Sequence, residues 1–255
     1  MRLPIRPRDL SRCVITQKQR PLTDGFEETW SLAEPVKGWM TRDQGLALWN
    51  AARRLSEGDL IVEIGSHQGR STIVLASAAR TVGARVVAVD PFVDGRLFGG
   101  SPTRQRFEAN LRKAGVEDVV ELVAEYSTKL RPTWDRPIQL LYIDGKHDYW
   151  TYTDDLRWSA DLADGREILV HDCFSSIGVT LGTIAKVLFG RRYTYLDRAT
   201  SLARFRLSPP SFKDRLRVLA QMPWFLRNVG IKVLLRLRLA PVARVFGHDS
   251  PYDPY

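Results

Sequence analysis

The sequence predicts an α/β protein built on a doubly wound, mostly parallel sheet. Three observations carry that prediction. Between residues 60 and 172, short β-branched apolar runs alternate with longer amphipathic ones, the spacing of strands joined by crossover helices. The short runs are mostly apolar, as strands covered on both faces are. A glycine turn follows the first run at once, and a helix opens directly after it.

The elements follow in order. Thr41-Arg42-Asp43-Gln44 has the form of a capping box, and Leu46, Leu48, Trp49, Ala52 and Leu55 continue it as a helix. Strands are expected at 60–64, 85–89, 119–123, 138–143 and 168–171, with helices at 71–80, 103–114 and 149–162. Two later runs, 193–196 and 202–207, add late antiparallel strands, and Pro209-Pro210 punctuates the end of the compact domain. The expected organisation is an N-terminal extension over 1–35, the α/β domain over 36–208 and a basic, apolar-rich tail over 209–255.

Composition narrows the class. The 255 residues are 44% hydrophobic and 26% charged, which excludes wholesale disorder. Two cysteines, Cys13 and Cys173, cannot build a disulfide framework or a Cys-rich zinc site, and their scarcity fits a reducing cytoplasm. No apolar run approaches the ~18–20 residues of a membrane span. The basic N-terminus is broken by Pro4 and Pro7 and does not read as a signal peptide. The net charge of +9 is uneven: residues 211–255 hold eight basic and three acidic residues, more than half of the excess.

The first chemical signal is the turn Glu63-x-Gly65-x-x-x-Gly69. Gly65 permits a tight turn, and Gly69 would let a ligand approach the helix N-terminus. The spacing is not the G-x-G-x-x-G of dinucleotide binders. Asp90 stands about 20 residues further on at a strand end, where a carboxylate can hold ribose hydroxyls. Glu63 and Asp90 together favour a nucleoside ligand over an empty capping turn.

The second signal is Asp144-Gly145-Lys146-His147 paired with His171-Asp172, each group ending an apolar strand. Asp144 and Asp172 could converge on one hard cation. His147 titrates near neutrality and could accept a proton from a substrate hydroxyl, with Lys146 as the second choice of base. The plainer alternatives are a loop-bonding His147 and an Asp144 that faces a cofactor amine. Asp154 and Asp155 read as capping or solvated residues.

With Gly38-Trp39-Met40-Thr41, Glu63 to Thr72, Asp90-Pro91, Ile143 to Tyr149 and His171-Asp172 all in place, the sequence resembles class I S-adenosylmethionine (SAM)-dependent methyltransferases, which share a Rossmann-like fold. The similarity covers roughly residues 36–208. It is closest to small bacterial O-methyltransferases akin to catechol and macrocin O-methyltransferases and cephalosporin-hydroxylase-like proteins. The resemblance implies that the backbone of Gly65 and Ser66 and the Ser71 hydroxyl hold the methionine end of the cofactor. It places Asp90 on the ribose and Ser127 beside the adenine. It also implies a divalent cation, Mg²⁺ first, on Asp144 and Asp172. Cys173 stands where catechol-type enzymes keep an asparagine ligand, so His171 becomes the substitute. His147 falls where those enzymes keep a catalytic lysine.

The expected function is therefore SAM-dependent O-methylation of a saccharide or similar polar small molecule. Three rivals are a nicotinamide-dependent oxidoreductase, disfavoured by the glycine spacing, a non-catalytic binding protein on the same fold, and a nucleic-acid methyltransferase, disfavoured because Asp90-Pro91-Phe92 does not follow the fourth strand as an Asn/Asp-Pro-Pro-Tyr-type element would. The tail leaves three uses open. A helix over 224–239 would align Leu226, Val229, Val233 and Leu237 and carry Ile231, Leu235 and Leu239 behind, apolar front and back. It could pack or form a homodimer, lie on the inner membrane face of the cell, or grip nucleic acid. The last is least favoured, because no nucleic-acid motif is visible.

Overall fold

A computed structural model describes residues 25–93 and 100–248 of the chain, so Cys13, most of the N-terminal extension and the last seven residues lie outside the described residues. In chain order the first elements are α1 (Phe26–Ala33), α2 (Arg42–Ala52), β1 (Leu60–Ile64), α3 (Arg70–Val82), β2 (Arg85–Val89) and α4 (Ser101–Ala114). Next come β3 (Val120–Val123), α5 (Ser127–Leu130), β4 (Ile138–Ile143), α6 (Tyr149–Asp155), β5 (Leu162–Val170) and α7 (Ile177–Thr183). The chain closes with β6 (Tyr193–Ala199), β7 (Leu202–Leu207), α8 (Phe212–Leu219), α9 (Met222–Arg236) and α10 (Ala240–Val245).

One seven-stranded sheet organises them, in the order β3-β2-β1-β4-β5-β7-β6. Strands β1 to β5 are parallel, and β7 runs antiparallel to both β5 and β6. The chain winds outward from β1 in both directions, so β1 and β4 meet at the point where the order reverses. All five residues of β1 are buried, because helices cover both of its faces. On one side α1, α2 and α3 share a core with Phe26, Trp30, Leu48, Trp49 and Leu75. On the other Tyr152, Trp158, Phe174 and Phe205 pack beneath β4 and β5. Each such side chain contributes about 1.5–3 kcal/mol of apolar transfer.

The helix α2 starts as its sequence dictates: the Thr41 hydroxyl accepts the Gln44 N–H, and the Gln44 amide oxygen accepts the Thr41 N–H. Elsewhere the structure departs from sequence expectation. The helix expected over 149–162 stops at Asp155 and continues as a 3-10 turn, Leu156–Asp161. The strand expected at 168–171 starts at Leu162 and ends at Val170. Residues 163–165 are exposed and Gly165 adopts φ +83, so this stretch lacks the apolar pattern that marks a buried strand. In the tail, the expected helix ends at Arg236, where a left-handed Arg238 turns the chain into α10.

One close approach fixes the middle of the sheet. Gly65, at φ +88, lies so near the end of β4 that an added Cβ would sit 2.2 Å from the Asp144 carbonyl oxygen. A side chain is excluded there twice, by backbone conformation and by space. Gly65→Ala is expected to lower the unfolding free energy in urea by about 3 kcal/mol or more. Gly58→Ala, at φ +81 with nothing within 4 Å of the added methyl, should cost only the left-handed strain of about 1–2 kcal/mol. Equal losses at the two positions would show that the carbonyl contact does not matter.

Candidate active site

Four chemically distinctive residues emerge at one rim because the backbone ladder ends in register. Gly65 N–H donates to the Val89 carbonyl (2.9 Å), Asp90 N–H to Val123 (3.2 Å), Asp144 N–H to Ile64 (2.8 Å) and His171 N–H to Ile143 (2.9 Å). Each is the first residue past its strand. Beyond them opens a cleft of about 360 Å³, lined among others by Trp39, Gly65, His67, Ser71, Asp90, Asp144 and His147. The volume lies within the small-molecule range.

At the glycine turn the carboxylates hold the backbone and hydroxyls in place. Asp90 Oδ2 accepts the N–H groups of Ser66 (3.0 Å) and His67 (2.9 Å), and Oδ1 accepts that of Phe92 (2.9 Å). Glu63 is fully buried and accepts the hydroxyls of Ser66, Ser71 and Thr72. Burial pushes its carboxyl up to about 7, against those hydrogen bonds, which favour the charged form. Gly69 lies against protein: a Cβ there would meet the Phe107 ring at 3.2 Å, so helix α4, not an open ligand path, occupies that space.

The second signal folds into a compact network. His147 places Nδ1 3.0 Å from Asp172 Oδ2 and Nε2 3.6 Å from Asp144 Oδ1. His171, almost fully buried, places Nδ1 3.1 Å from Asp144 Oδ1 and 3.4 Å from Asp172 Oδ1. Its Nε2 lies 3.3 Å from the Gln44 amide oxygen. Asp172, at left-handed φ 53, also accepts the hydroxyls of Ser175 and Ser201. Burial disfavours a charged Asp144, but the two histidines outweigh it and hold its carboxyl well below the usual carboxylate range. Burial likewise pushes the His171 imidazole down, and Asp144 and Asp172 carry it up to about 9. His147 is raised by the same two carboxylates against its own burial.

Donor atoms of Asp144, His147 and His171 all lie within 4.8 Å of one another, a spacing that suits one metal ion. Asp172 stands outside that set of three, bonded to His147 from behind. The buried His171 Nδ1 faces the Asp144 and Asp172 carboxylates without a well-aligned hydrogen bond to either. The residues fit a divalent ion.

Of the expected site residues, Glu63, Gly69, Ser127, His171 and Asp172 are not in the cleft lining. Ser127 donates to Asp155 Oδ1 (2.6 Å). Asp155 is neither solvated nor a cap: it is buried against Gly145, and burial raises its carboxyl to about 7. Lys146 lines the cleft, but its ammonium pairs with Asp148 at 2.8 Å.

Sequence reasoning missed Gln44, Trp39, His67 and Arg70. Gln44 joins the network through His171 and through Ser201, to which its amide donates (2.9 Å). The Arg70 guanidinium donates to the carbonyls of Glu34, Val36, Gly38 and Met40, tying the loop that carries Trp39 to the start of α3. The joint presence of Gly38-x-x-Thr41 and Gly69-Arg70 was the available signal.

Because Glu63 has its pKa raised from 4.5 to about 7 on folding, the folded state binds the extra proton between those values. This group's contribution to stability therefore falls as pH rises through that window, by on the order of 3 kcal/mol. Glu63→Gln should remove the dependence. Urea unfolding from about pH 5 to about pH 8 should show the variant gaining on the wild type as pH rises; a constant difference would contradict the shift.

Known proteins share this fold. A family model described as a methyltransferase domain matches residues 62–173, from β1 to the residue after Asp172. The SAH-bound methyltransferase PaMTH1 of Podospora anserina superposes with a TM-score of 0.57 at 16% identity, covering 72% of this chain and 88% of that one. The O-methyltransferase TomG from Streptomyces achromogenes, involved in tomaymycin synthesis and in complex with SAM, gives 0.54 at 16% identity, over 72% and 90%. Cofactor-bound Rv0187 from MTB gives 0.53 at 20% identity, over 76% and 92%. At these identities the likeness is one of fold. The strand order, the glycine turn at the switch point and the matched segment agree: residues 62–173 match a methyltransferase domain, and the chain has the fold of these SAM- and SAH-bound methyltransferases.

Proposed function

We propose that this chain is an O-methyltransferase acting on a hydroxyl of a polar small molecule, a saccharide being the class to which the sequence resemblance leads. The observation that carries the proposal is a histidine in the donor cleft with one ring nitrogen held by a buried carboxylate. His147 Nδ1 bonds Asp172 Oδ2, and Nε2 is left on the side of Asp144. Methyl transfer from a sulfonium needs little covalent help: the protein aligns the acceptor in line with the methyl group and removes a proton. In this reading His147 Nε2 receives the acceptor's hydroxyl proton, and Asp172 orients the ring and balances the imidazolium that forms. Lys146, paired with Asp148, is the weaker base.

The donor end follows from the turn. Asp90 Oδ1 accepts one N–H and keeps an acceptor site for a ribose hydroxyl. The backbone of Gly65 and Ser66 and the oxygen of Ser71, all in the cleft lining, would hold the methionine portion. Asp144 and His171 would hold a divalent cation, Mg²⁺ first, although imidazole donors suit softer ions as well. Such a cation, when bound, polarises the acceptor hydroxyl and lowers its pKa. A second reading is supported by the 4.8 Å grouping: His147 serves as third metal ligand, and the proton leaves by another route.

His147→Ala is expected to lower kcat by about 10²–10⁴-fold while leaving the affinity for S-adenosylhomocysteine, read by calorimetry, unchanged. Full turnover in this variant would remove the base. Asp144→Asn should abolish metal-stimulated turnover, and wild-type activity undiminished in excess EDTA would take the cation out of the mechanism. No calorimetric affinity for S-adenosylhomocysteine would end the reading altogether.

A further inference from the structure

The tail helices are fixed to the catalytic domain on one side, and on the other they expose much of their apolar surface. Arg198 of β6 stacks over the Trp224 ring at 3.9 Å and donates to the Gln221 side chain (2.8 Å). Asn228, buried, donates its amide to the Phe174 carbonyl (3.2 Å), two residues past Asp172, and Ile231 is buried beside it. Ala243 is buried too, and the Arg227 guanidinium bonds the carbonyls of Phe246 and Gly247, closing α10 onto α9. The docked face is therefore the one centred on Asn228 and Ile231. Much of the stripe expected from sequence points outward: Leu226 is 65% exposed, Val233 50% and Leu237 63%. Val242, Val245 and Phe246 extend this apolar surface along α10, Val245 at 83% exposure.

Within α9 and α10 the charge has one sign. Residues 215–248 contain seven arginines and lysines and no aspartate or glutamate. Arg236, Arg238 and Arg244 are exposed among the apolar side chains. A two-fold dimer through this face would set the same cationic patch against itself, with no acidic residue on 215–248 to answer it. A phosphate backbone would answer the charge but leave the leucines, valines and phenylalanine without a partner. An anionic bilayer surface answers both, since acyl chains take the apolar residues while headgroups face the guanidinium groups.

We propose that α9 and α10 form a peripheral docking face for anionic phospholipid bilayers. No helix among the described residues is long and apolar enough to cross a membrane, so attachment is by this face and reversible. The bond from Asn228 to the Phe174 carbonyl ties the docking face to the loop that follows Asp172 at the catalytic rim.

The test is co-flotation of the full chain with phosphatidylcholine vesicles, with and without phosphatidylserine. Binding to the anionic vesicles should be about tenfold tighter or more and should fall as salt is raised. The double variant Leu237→Glu/Val245→Glu changes exposed positions only. It should lose vesicle binding while keeping its melting temperature and its S-adenosylhomocysteine affinity. Arg236→Gln/Arg238→Gln should weaken binding to anionic vesicles and remove most of its salt dependence. Three results would each overturn the proposal: no binding to anionic vesicles, equal binding to both kinds, or a dimer in light scattering that the double variant dissolves. Salt-dependent binding to RNA or DNA with no vesicle binding would overturn it as well.

Discussion

The structure turns on the contact between the ends of β1 and β4. Gly65 can pass the Asp144 carbonyl only because it lacks a side chain, and the same step is bonded by Asp144 N–H to the Ile64 carbonyl. That contact brings the donor turn, with Glu63 and Asp90 behind it, against the loop bearing Asp144 and His147. A bulkier residue would push the two strand ends apart and divide the cleft. Strand order does the rest: β1 and β4 are neighbours at the switch point, so a ligand there can touch both halves of the sheet.

Around this contact, similar carboxyls are driven in opposite directions. Glu63 sits among the hydroxyls of Ser66, Ser71 and Thr72, and burial raises it to about 7. Its work is to fix Ser66, Ser71 and Thr72, the residues that shape the turn. Asp144 is half-buried at the cleft, and His147 and His171 keep it charged. A carboxylate kept ionised in a cleft can meet a cation or a developing positive charge, whereas a proton-holding carboxyl beneath a turn shapes the backbone. Four of the six non-glycine residues with positive φ among the described residues, His67, Phe92, Asp172 and Phe174, lie in the loops beyond the strand ends.

The segments outside the sheet are held by arginines. Arg70 gathers the carbonyls of residues 34 to 40 at the cleft mouth, and Arg198 clasps the junction of α8 and α9. Both use a planar, multi-donor group to fix irregular backbone that has no ladder of its own. The cleft wall carrying Trp39 and the tail carrying Ile231 thus become parts of one body with the sheet.

Much of this was legible in the residues alone. Strands at 60–64, 85–89, 138–143 and 202–207 are fixed by local apolar runs, and the α2 cap by a four-residue box, because each depends on chain neighbours. The turn, Asp90, Asp144 and His171 were visible as polar residues placed one step beyond buried strands. Only the tertiary structure decided what lies far apart in the chain: Gln44 reaching His171 and Ser201, Asp155 buried behind Gly145, and Asn228 rather than Val229 facing the protein. It also decided that Asp172 stands behind His147. Side-chain periodicity names the faces of a helix but not the surface that each will meet, and that choice is made by whichever packing buries the most apolar area and satisfies the most polar groups.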